Sequence, residues 1–459
     1  MVGWEGTMQK YLDVLNHIVW GAPALVLILG VGIYLTIYTG FAQFRLFPRS
    51  VRMFFSRLAG RKGSKGVSSM QALCTALAAT VGTGNLVGVA GAICLGGPGS
   101  IFWMWICGFL GMVTKYAEAT LAVRYRVRKN GENFAGPMYM IRGGLDSRWH
   151  WLGAVYCFFG VIAAFGVGNA TQINAVIVSV NQTIEKMGIR PSWQGNLLMG
   201  IGLGILIGIL FSGGARRIGK CAEFLVPFVS CGYLALCMGA LMTRISVIPD
   251  AFAAIVQGAF DSRAVTGGII GSAFSTLRVG VSRGVFTNEA GMGTASIAHG
   301  GADVMHPSEQ GLMGIMEVFL DTILICTMTA LVILTSGVHI PYGIDAGGIL
   351  TVAAFVQVYG DWVTVFLALA LCCFALATVM GWGLYGARCA QYLFGDGAWK
   401  YFTLLQSGMV VLASVMQTGV LWSLAETVNG LMAIPNLIVL AALSPELKRL
   451  TCEYKKFYG

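Results

Sequence analysis

The stretch that decides the fold lies at residues 79–85, which read Ala-Thr-Val-Gly-Thr-Gly-Asn inside a long apolar segment. Glycine weakens a helix, and the amide side chain of Asn85 needs a polar partner when it lies in hydrocarbon. Irregular backbone at membrane depth is tolerated only where it is buried in protein or lines a cavity. We therefore expect a membrane helix that is interrupted here, with a binding site at the interruption.

A second apolar segment, near 266–298, shows the same kind of interruption. It contains Gly280 and later the run Asn288-Glu-Ala-Gly291. Glycine-interrupted spans at corresponding positions of two halves are the best sequence indication of a transporter site. Close packing of small residues is the alternative explanation, but it accounts poorly for Asn85 and Glu289.

The composition of the whole chain agrees with a membrane protein. Of 459 residues, 56% are hydrophobic and 11% are charged, whereas soluble domains carry about 25% charged residues. Because a membrane helix needs about 20 apolar residues, we expect an all-α membrane protein of about eleven spans. They lie near 17–40, 70–95, 98–123, 152–182, 195–212, 221–243, 266–298, 309–336, 361–386, 401–418 and 421–443.

The basic residues predict the orientation, because cytoplasmic loops are enriched in Lys and Arg. With eleven spans, most basic residues fall on one side: Arg45, Arg49, Arg52, Arg57, Arg61, Lys62, Lys65, Arg124, Arg126, Arg128, Lys129, Arg142, Arg148, Arg216, Arg217, Lys220, Arg388, Lys400, Lys448, Arg449, Lys455 and Lys456. The opposite side holds Lys10, Lys186, Arg190, Arg244 and Arg263. We therefore expect a multi-pass protein of the cell membrane with the N-terminus outside and the C-terminus in the cytoplasm.

The interrupted spans open two blocks of five helices with opposite orientation. The predicted organisation is an extra N-terminal helix with a basic cytoplasmic segment (1–66), a first five-helix repeat (67–245), a second, inverted repeat (262–445) and a cytoplasmic tail (446–459). Inverted repeats with broken helices at their interface are a common plan of secondary transporters.

Several motifs resemble the alanine or glycine:cation symporter family, also called sodium:alanine symporters. They are 79–85, Gly96-Gly-Pro-Gly-Ser-Ile-Phe-Trp-Met-Trp105, Thr114-Lys-Tyr-Ala-Glu118, Gly136-Pro-Met-Tyr139, Arg283-Gly-Val-Phe-Thr-Asn-Glu-Ala-Gly291, Gly381-Trp382 and Tyr385-Gly386. The resemblance covers nearly the whole chain. It implies the inverted-repeat fold of neurotransmitter:sodium symporters and sodium-coupled symport of a small neutral amino acid.

The resemblance also implies candidate sodium ligands. They are the backbone carbonyls of Ala78 and Val81 and the hydroxyl of Thr378, with Asn85 at a second sodium site or at the substrate. The ninth span has Ala377 beside Thr378, where family members usually have two adjacent threonines. Sodium, a hard cation, requires oxygen ligands of this kind.

An amino acid substrate needs donors for its carboxylate and acceptors for its ammonium group. We expect the backbone amides of Gly82, Thr83 and Gly84 at the first break to bind the carboxylate, because a helix end offers free N–H groups and a positive dipole. The Thr80 carbonyl is expected beside Asn85, at the second sodium site or at the substrate. Polar side chains on other spans are candidates for the ammonium group and the pocket wall, namely Asn169, Gln172, Thr276 and Trp382. For each of them, interhelical packing is the alternative role.

Buried charges complete the set of candidates. Lys115 and Glu118 are three residues apart and predict an ion pair within one helix. Glu317 and Asp321 belong either to a transport pathway or to helix ends. Glu289 is interpreted as a brace of the second break, with a proton carrier as the alternative.

Other classes of protein fit the sequence less well. The segment Gly214–Cys221 resembles a nucleotide-binding P-loop, but it ends in Cys where Ser or Thr must hold magnesium. No zinc-protease signature H-E-x-x-H is present. We expect no enzyme activity, no cofactor apart from the coupling ion, and no nucleic acid partner. Proton coupling, a preference for glutamine and an ion channel remain the alternatives.

The predicted orientation is testable with a thiol reagent that does not cross membranes. In intact cells, an Arg190→Cys variant should be labelled from outside above the background of the parent chain, and a Lys62→Cys variant should not. Labelling of the Lys62→Cys variant from outside would contradict both the orientation and the inverted repeat.

Overall fold

The computed structural model describes residue 19 and residues 21–59, 66–129, 131–186, 188–270, 272–416 and 419–458. Within them the α-helices are α1 (Ala22–Tyr38), α2 (Ala42–Arg45), α3 (Phe47–Ala59), α4 (Ser69–Thr80), α5 (Val89–Gly96), α6 (Gly99–Arg124), α7 (Pro137–Gly144), α8 (Trp151–Phe165), α9 (Thr171–Lys186), α10 (Trp193–Ser212), α11 (Gly214–Met242), α12 (Ile248–Phe260), α13 (Ser262–Thr266), α14 (Ala273–Asn288), α15 (Thr294–Gly300), α16 (Pro307–Val318), α17 (Thr327–Thr335), α18 (Gly347–Tyr359), α19 (Val363–Phe394), α20 (Ala398–Ala413), α21 (Gly419–Ala442) and α22 (Ser444–Tyr458).

Shorter elements join these helices. There are π-helical segments at Gly84–Gly88, Gly166–Ala170 and Phe319–Cys326, and 3-10 turns at Ser147–Trp149 and Ile245–Val247. Strands β1 (Val127–Lys129) and β2 (Glu132–Phe134) form an antiparallel hairpin in which Val127 pairs with Phe134. Residues 1–18 and the predicted cytoplasmic residues Arg61, Lys62 and Lys65 lie outside the described part of the chain.

The two predicted interruptions are present. Helix α4 ends at Thr80, Val81 adopts an extended conformation, and the helix that follows is bent by 48° relative to α4. Helix α14 ends at Asn288, Glu289 follows it with a left-handed φ of 53°, and α15 begins only at Thr294. The predicted fold class, an all-α membrane protein with two broken helices, is confirmed.

The expected number of eleven membrane spans is not confirmed. Among the described residues, six helices are long and apolar enough to cross a membrane, or eight when each of two bent pairs counts as one span. The structure also has helices that the sequence analysis treated as loops or tail, namely α12, α18 and α22. Helices α12 and α18 have 13 residues each, which is fewer than the about 20 residues that a membrane-spanning helix needs.

Burial differs sharply between the long helices. In the most apolar part of α6, 83% of the residues are buried inside the protein, against 22% for α10. Helix α10 exposes apolar side chains, including Leu198, Ile205 and Ile209. Helix α6 is therefore central, and charged residues such as Lys115 and Glu118 on it must find partners inside the protein.

Helix α6 begins at a very close contact with the backbone of α12. A methyl group on Gly99 would overlap the backbone of Gly258 and Ala259 at the end of α12. The motif Gly96-Gly-Pro-Gly99 thus allows backbone-to-backbone packing between α6 and α12, which is how small residues act in membrane proteins.

Gly99→Ala should therefore lower thermal stability and the yield of folded protein, because overpacking costs about 1–3 kcal/mol. Gly202→Ala is the matched control, since no atom lies within 4 Å of a methyl group at that position. Thermal unfolding of the two purified variants in detergent measures the difference. Equal stability of both would contradict the packing role of Gly99.

Candidate functional site

The first break is organised by a hydrogen bond between the backbone and Asn85. In a regular helix the Gly82 N–H would bond to the Ala78 carbonyl. Here it donates to Oδ1 of Asn85 at 2.8 Å. The Ala78 carbonyl loses its usual donor as a result. The break thus exposes a backbone oxygen in a region where Ala78, Val81 and Asn85 are all buried.

Asn85 in turn is held by Asp321, a residue that the sequence analysis did not connect to the break. The Asn85 Nδ2 group donates to Oδ1 of Asp321 at 2.8 Å and lies 3.2 Å from the sulfur of Cys326. The other carboxylate oxygen of Asp321 accepts a 2.8 Å bond from the Thr322 hydroxyl. Asp321 is fully buried. Its carboxylate is linked to the broken backbone through the side chain of Asn85.

Gln172 contacts the break from the opposite direction. The hydroxyl of Thr83 donates to Oε1 of Gln172 at 3.2 Å, and Nε2 of Gln172 donates to the Val167 carbonyl at 3.2 Å. Val167 belongs to the π-helical segment Gly166–Ala170, and such segments leave carbonyls without regular partners. Gln172 therefore presents an amide oxygen to the break, and its role toward the substrate stays a prediction.

Thr378 lies against the same break. Its hydroxyl oxygen is 2.7 Å from the position that a Cβ of Gly82 would occupy. One turn further along α19, a Cβ on Gly381 would be 2.9 Å from the backbone nitrogen of Ala79. These close approaches place α19 directly on the end of α4. The Thr378 hydroxyl donates to the Phe374 carbonyl at 3.0 Å, which leaves its lone pairs available to a cation.

The structure does not bring every predicted residue to the first break. Thr80 bonds back to the Ala76 carbonyl at 3.3 Å, although its own carbonyl remains at the break. Asn169 donates to the Gln406 carbonyl on α20 at 2.9 Å. Thr276 lies in the first turn of α14, where its hydroxyl is 3.5 Å from the Ser272 carbonyl, and the second break is about 20 Å away along the helix.

Trp382 connects the Gly166–Ala170 segment to the second break. Its side chain packs on Gly168, where a methyl group would overlap the Trp382 Cβ. Its indole N–H donates to Oε1 of Glu289 at 2.8 Å. Glu289 also accepts a 2.7 Å bond from the Thr294 hydroxyl across the second break. This geometry fits the interpretation of Glu289 as a brace.

Glu118 satisfies the backbone of the second break. Its Oε1 atom accepts the N–H groups of Gly291 at 2.9 Å and Gly293 at 3.0 Å, together with Nδ2 of Asn436 at 2.8 Å. The expected ion pair between Glu118 and Lys115 is therefore wrong. Lys115 instead reaches Oε1 of Glu317 at 2.8 Å, because its long side chain extends to the neighbouring α16.

Glu317 is the centre of a chain of buried polar contacts. Its second oxygen lies 2.8 Å from Nε2 of His299, and Nδ1 of His299 lies 2.6 Å from Nε2 of Gln310. The Ser69 hydroxyl, at the start of α4, donates to Gln310 at 2.7 Å. This chain links α4, α6, α15 and α16, so it couples both broken helices to α6.

The two ends of the bundle differ in how they close. At the end that the basic residues predict to be cytoplasmic, a cavity of about 210 Å³ lies between α4, α15, α19 and the β-hairpin, lined by Thr75, Ala298 and Arg388 among others. At the opposite end, Asp345 lies 2.9 Å from the position of a Cβ on Gly91 and forms a 3.2 Å ion pair with Arg283 on α14. The structure is therefore closed at one end and holds a cavity at the other.

Two broken membrane helices, with buried polar groups at both breaks, form the architecture of a membrane transporter. The sodium:alanine symporter family model matches residues 5–458, and the chain belongs to this family. It is 41% identical over 452 residues to an uncharacterised transporter of Haemophilus influenzae, covering 98% of this chain and 96% of the relative. It is also 41% identical over 443 residues to the sodium/alanine symporter AgcS of Methanococcus maripaludis, covering 94% of each.

A solved structure shares the fold. The crystal structure of MhsT in complex with L-phenylalanine has a TM-score of 0.58 and 13% sequence identity, and the match covers 85% of this chain and 99% of that one. At this identity the similarity describes the architecture and not the ligand.

Proposed function

We propose that this protein carries a small neutral amino acid such as alanine or glycine across the cell membrane together with sodium ions, by alternating access. The observation that carries the proposal is the first break, where Asn85, Gln172, Asp321 and Thr378 converge from four helical segments. The family of the chain and the name of the relative AgcS support the same ion and substrate.

We assign two groups of oxygens to sodium. The first consists of the Ala78 and Val81 carbonyls with the Thr378 hydroxyl. The second consists of the Thr80 carbonyl, the Asn85 amide oxygen and the carboxylate of Asp321, which the sequence analysis did not include. Carbonyl, hydroxyl and carboxylate oxygens are suitable ligands for a hard cation, and a cation offsets the cost of burying the Asp321 charge.

The substrate lies, in this proposal, where the helix restarts after the break. The first N–H groups of a helix lack partners within it, and those of Thr83 and Gly84 are suited to the substrate carboxylate. The Gly82 N–H already donates to Asn85. The role of Gly82 is therefore to let the substrate come close to the backbone, because glycine has no side chain. Gln172 offers its amide oxygen to the ammonium group, and Trp382 forms a wall of the pocket.

Ion coupling supplies sufficient energy for accumulation. One charge that moves through 100 mV contributes about 2.3 kcal/mol. At about 1.4 kcal/mol per tenfold change in concentration, this corresponds to roughly fifty-fold accumulation before the sodium gradient is counted. No nucleotide-driven domain is required.

Thr378→Val tests the sodium assignment, because it retains the shape of the side chain and removes its oxygen. We expect the sodium concentration for half-maximal alanine uptake to rise about ten- to a hundredfold, since a lost bond to a charged group costs about 1.5–3 kcal/mol. Thr378→Ser should retain much of the parent's sodium affinity. The measurement is uptake of labelled alanine into proteoliposomes over a range of sodium concentrations.

Thr335→Val is the matched control. Thr335 is also a buried threonine that bonds to a carbonyl of its own helix, Leu331, but it lies on α17 away from the break. Its replacement should leave the sodium dependence unchanged. If Thr378→Val is produced at normal levels and behaves like this control, Thr378 is not a sodium ligand.

A second candidate, coupling to protons, is favoured by the excess of buried acid at the second break. Glu118, Glu289 and Glu317 surround Lys115, and they outnumber the cations even if His299 is protonated. Oε2 of Glu118 is buried and has no hydrogen-bond partner among the described residues, and the same holds for the hydroxyls of Tyr156 and Tyr385.

Glu118→Gln tests this candidate, because glutamine mimics a permanently protonated carboxyl group. If a proton is carried on Glu118, alanine entry should acidify the lumen of parent proteoliposomes, as detected with an internal pH dye. The variant should bind alanine but lose this acidification. Asp146→Asn, at a side chain that is 75% exposed, should behave like the parent. Alanine uptake by the parent without any proton movement would reject the candidate.

A further inference from the structure

A cavity lined by basic side chains lies where α1 meets the two short helices that follow it, beside the C-terminal helix α22. Its volume is about 590 Å³. We call it the basic pocket, and its lining residues are Arg45, Leu46, Pro48, Arg49, Arg52 and Lys455. Arg45, Arg49 and Arg52 recur at helical spacing along α2 and α3, and Lys455 faces them from α22.

The positive charge of the basic pocket is not compensated by the protein. Nearby basic residues of the same elements have acidic partners: Arg57 pairs with Glu309, and Arg449 pairs with Glu446 and Glu453. In the described part of the chain, the four basic residues of the pocket form no ion pair. Burial, together with the charges of Arg45 and Arg49, lowers the pKa of Lys455. Like charges are thus held together with space for an anion between them.

The surroundings of the basic pocket indicate the membrane interface. Apolar side chains next to it are exposed, with Ile37 at 65%, Phe41 at 53% and Phe44 at 50%. Phe41 has a left-handed φ of 58°, a strained conformation for a bulky residue that persists only where the surrounding structure requires it. The strained turn follows the end of α1 and carries an exposed aromatic ring four residues before Arg45.

We propose that the basic pocket binds the head group of an anionic phospholipid, whose acyl chains lie along Phe41, Phe44 and the exposed face of α1. Basic pockets beside membrane helices on the cytoplasmic side bind anionic lipid head groups by this chemistry, and the positive-inside pattern assigns the pocket to that side. The adjacent apolar surface favours a lipid over free phosphate, because phosphate has no apolar part that could cover this surface. The bound lipid bridges α3 and α22.

The test uses the full-length protein, purified and delipidated in detergent. Phosphatidylglycerol should raise the thermal unfolding temperature by several degrees and form adducts in native mass spectrometry, whereas phosphatidylcholine and inorganic phosphate should have little effect. The triple variant Arg49→Gln/Arg52→Gln/Lys455→Gln should lose the stabilisation and the adducts. Arg52→Gln alone, at an exposed position, should weaken both and serves if the triple variant does not fold.

The control variant Arg128→Gln/Arg148→Gln/Lys400→Gln removes the same charge from exposed positions elsewhere. It should respond to phosphatidylglycerol like the parent. An equal loss in both triple variants would mean a general effect of charge and would overturn the proposal. Equal stabilisation by phosphatidylcholine would also overturn it, and equal stabilisation by inorganic phosphate would replace the lipid with a soluble anion.

Discussion

The architecture depends on the way in which backbone N–H groups are bonded where two helices break inside the bundle. Each unsatisfied backbone group in hydrocarbon costs several kcal/mol, so a broken helix requires acceptors from elsewhere. Asn85 supplies an acceptor to Gly82 at the first break, and Glu118 supplies one to Gly291 and Gly293 at the second. At each break a side-chain oxygen thus replaces a backbone carbonyl as the hydrogen-bond acceptor. The site consists of these side chains and of the backbone carbonyls that lose their usual N–H partners.

Irregular helices deliver the polar groups to the first break. The π-helical segment Gly84–Gly88 contains Asn85, Phe319–Cys326 contains Asp321, and Gly166–Ala170 ends two residues before Gln172. π-bulges leave carbonyls free and are frequent at functional sites. Three helices are thus locally irregular where they meet, and this irregularity concentrates oxygens that a cation or an amino acid can use.

The chain of contacts from Ser69 to Lys115 relates the site to alternating access. It ties the start of α4 to α15 and α16, next to the cavity at the end assigned to the cytoplasm. At the other end, the ion pair of Arg283 and Asp345 closes the bundle over Gly91. Opening one end requires movement of the half-helices that these contacts hold.

The sequence predicted the breaks and most of the residues around the first one, because Asn85, Gln172 and Thr378 stand out as polar groups in apolar spans. It did not predict the partner of Glu118. The spacing of three residues suggested Lys115, whereas the true partners, Gly291, Gly293 and Asn436, are more than 170 residues away. Asp321 was recognised as a buried charge but not joined to Asn85, since contacts between distant helices depend on their packing. Helices α12 and α18 were missed because they are too short to span.

The central claim is that a sodium gradient drives a small neutral amino acid through this site. It is tested most directly in proteoliposomes with equal pH on both sides and an inward sodium gradient. Labelled alanine should rise inside well above its external concentration and return to equality when a sodium ionophore is added. Accumulation that persists with potassium in place of sodium, or uptake that never exceeds the external concentration, would contradict the account.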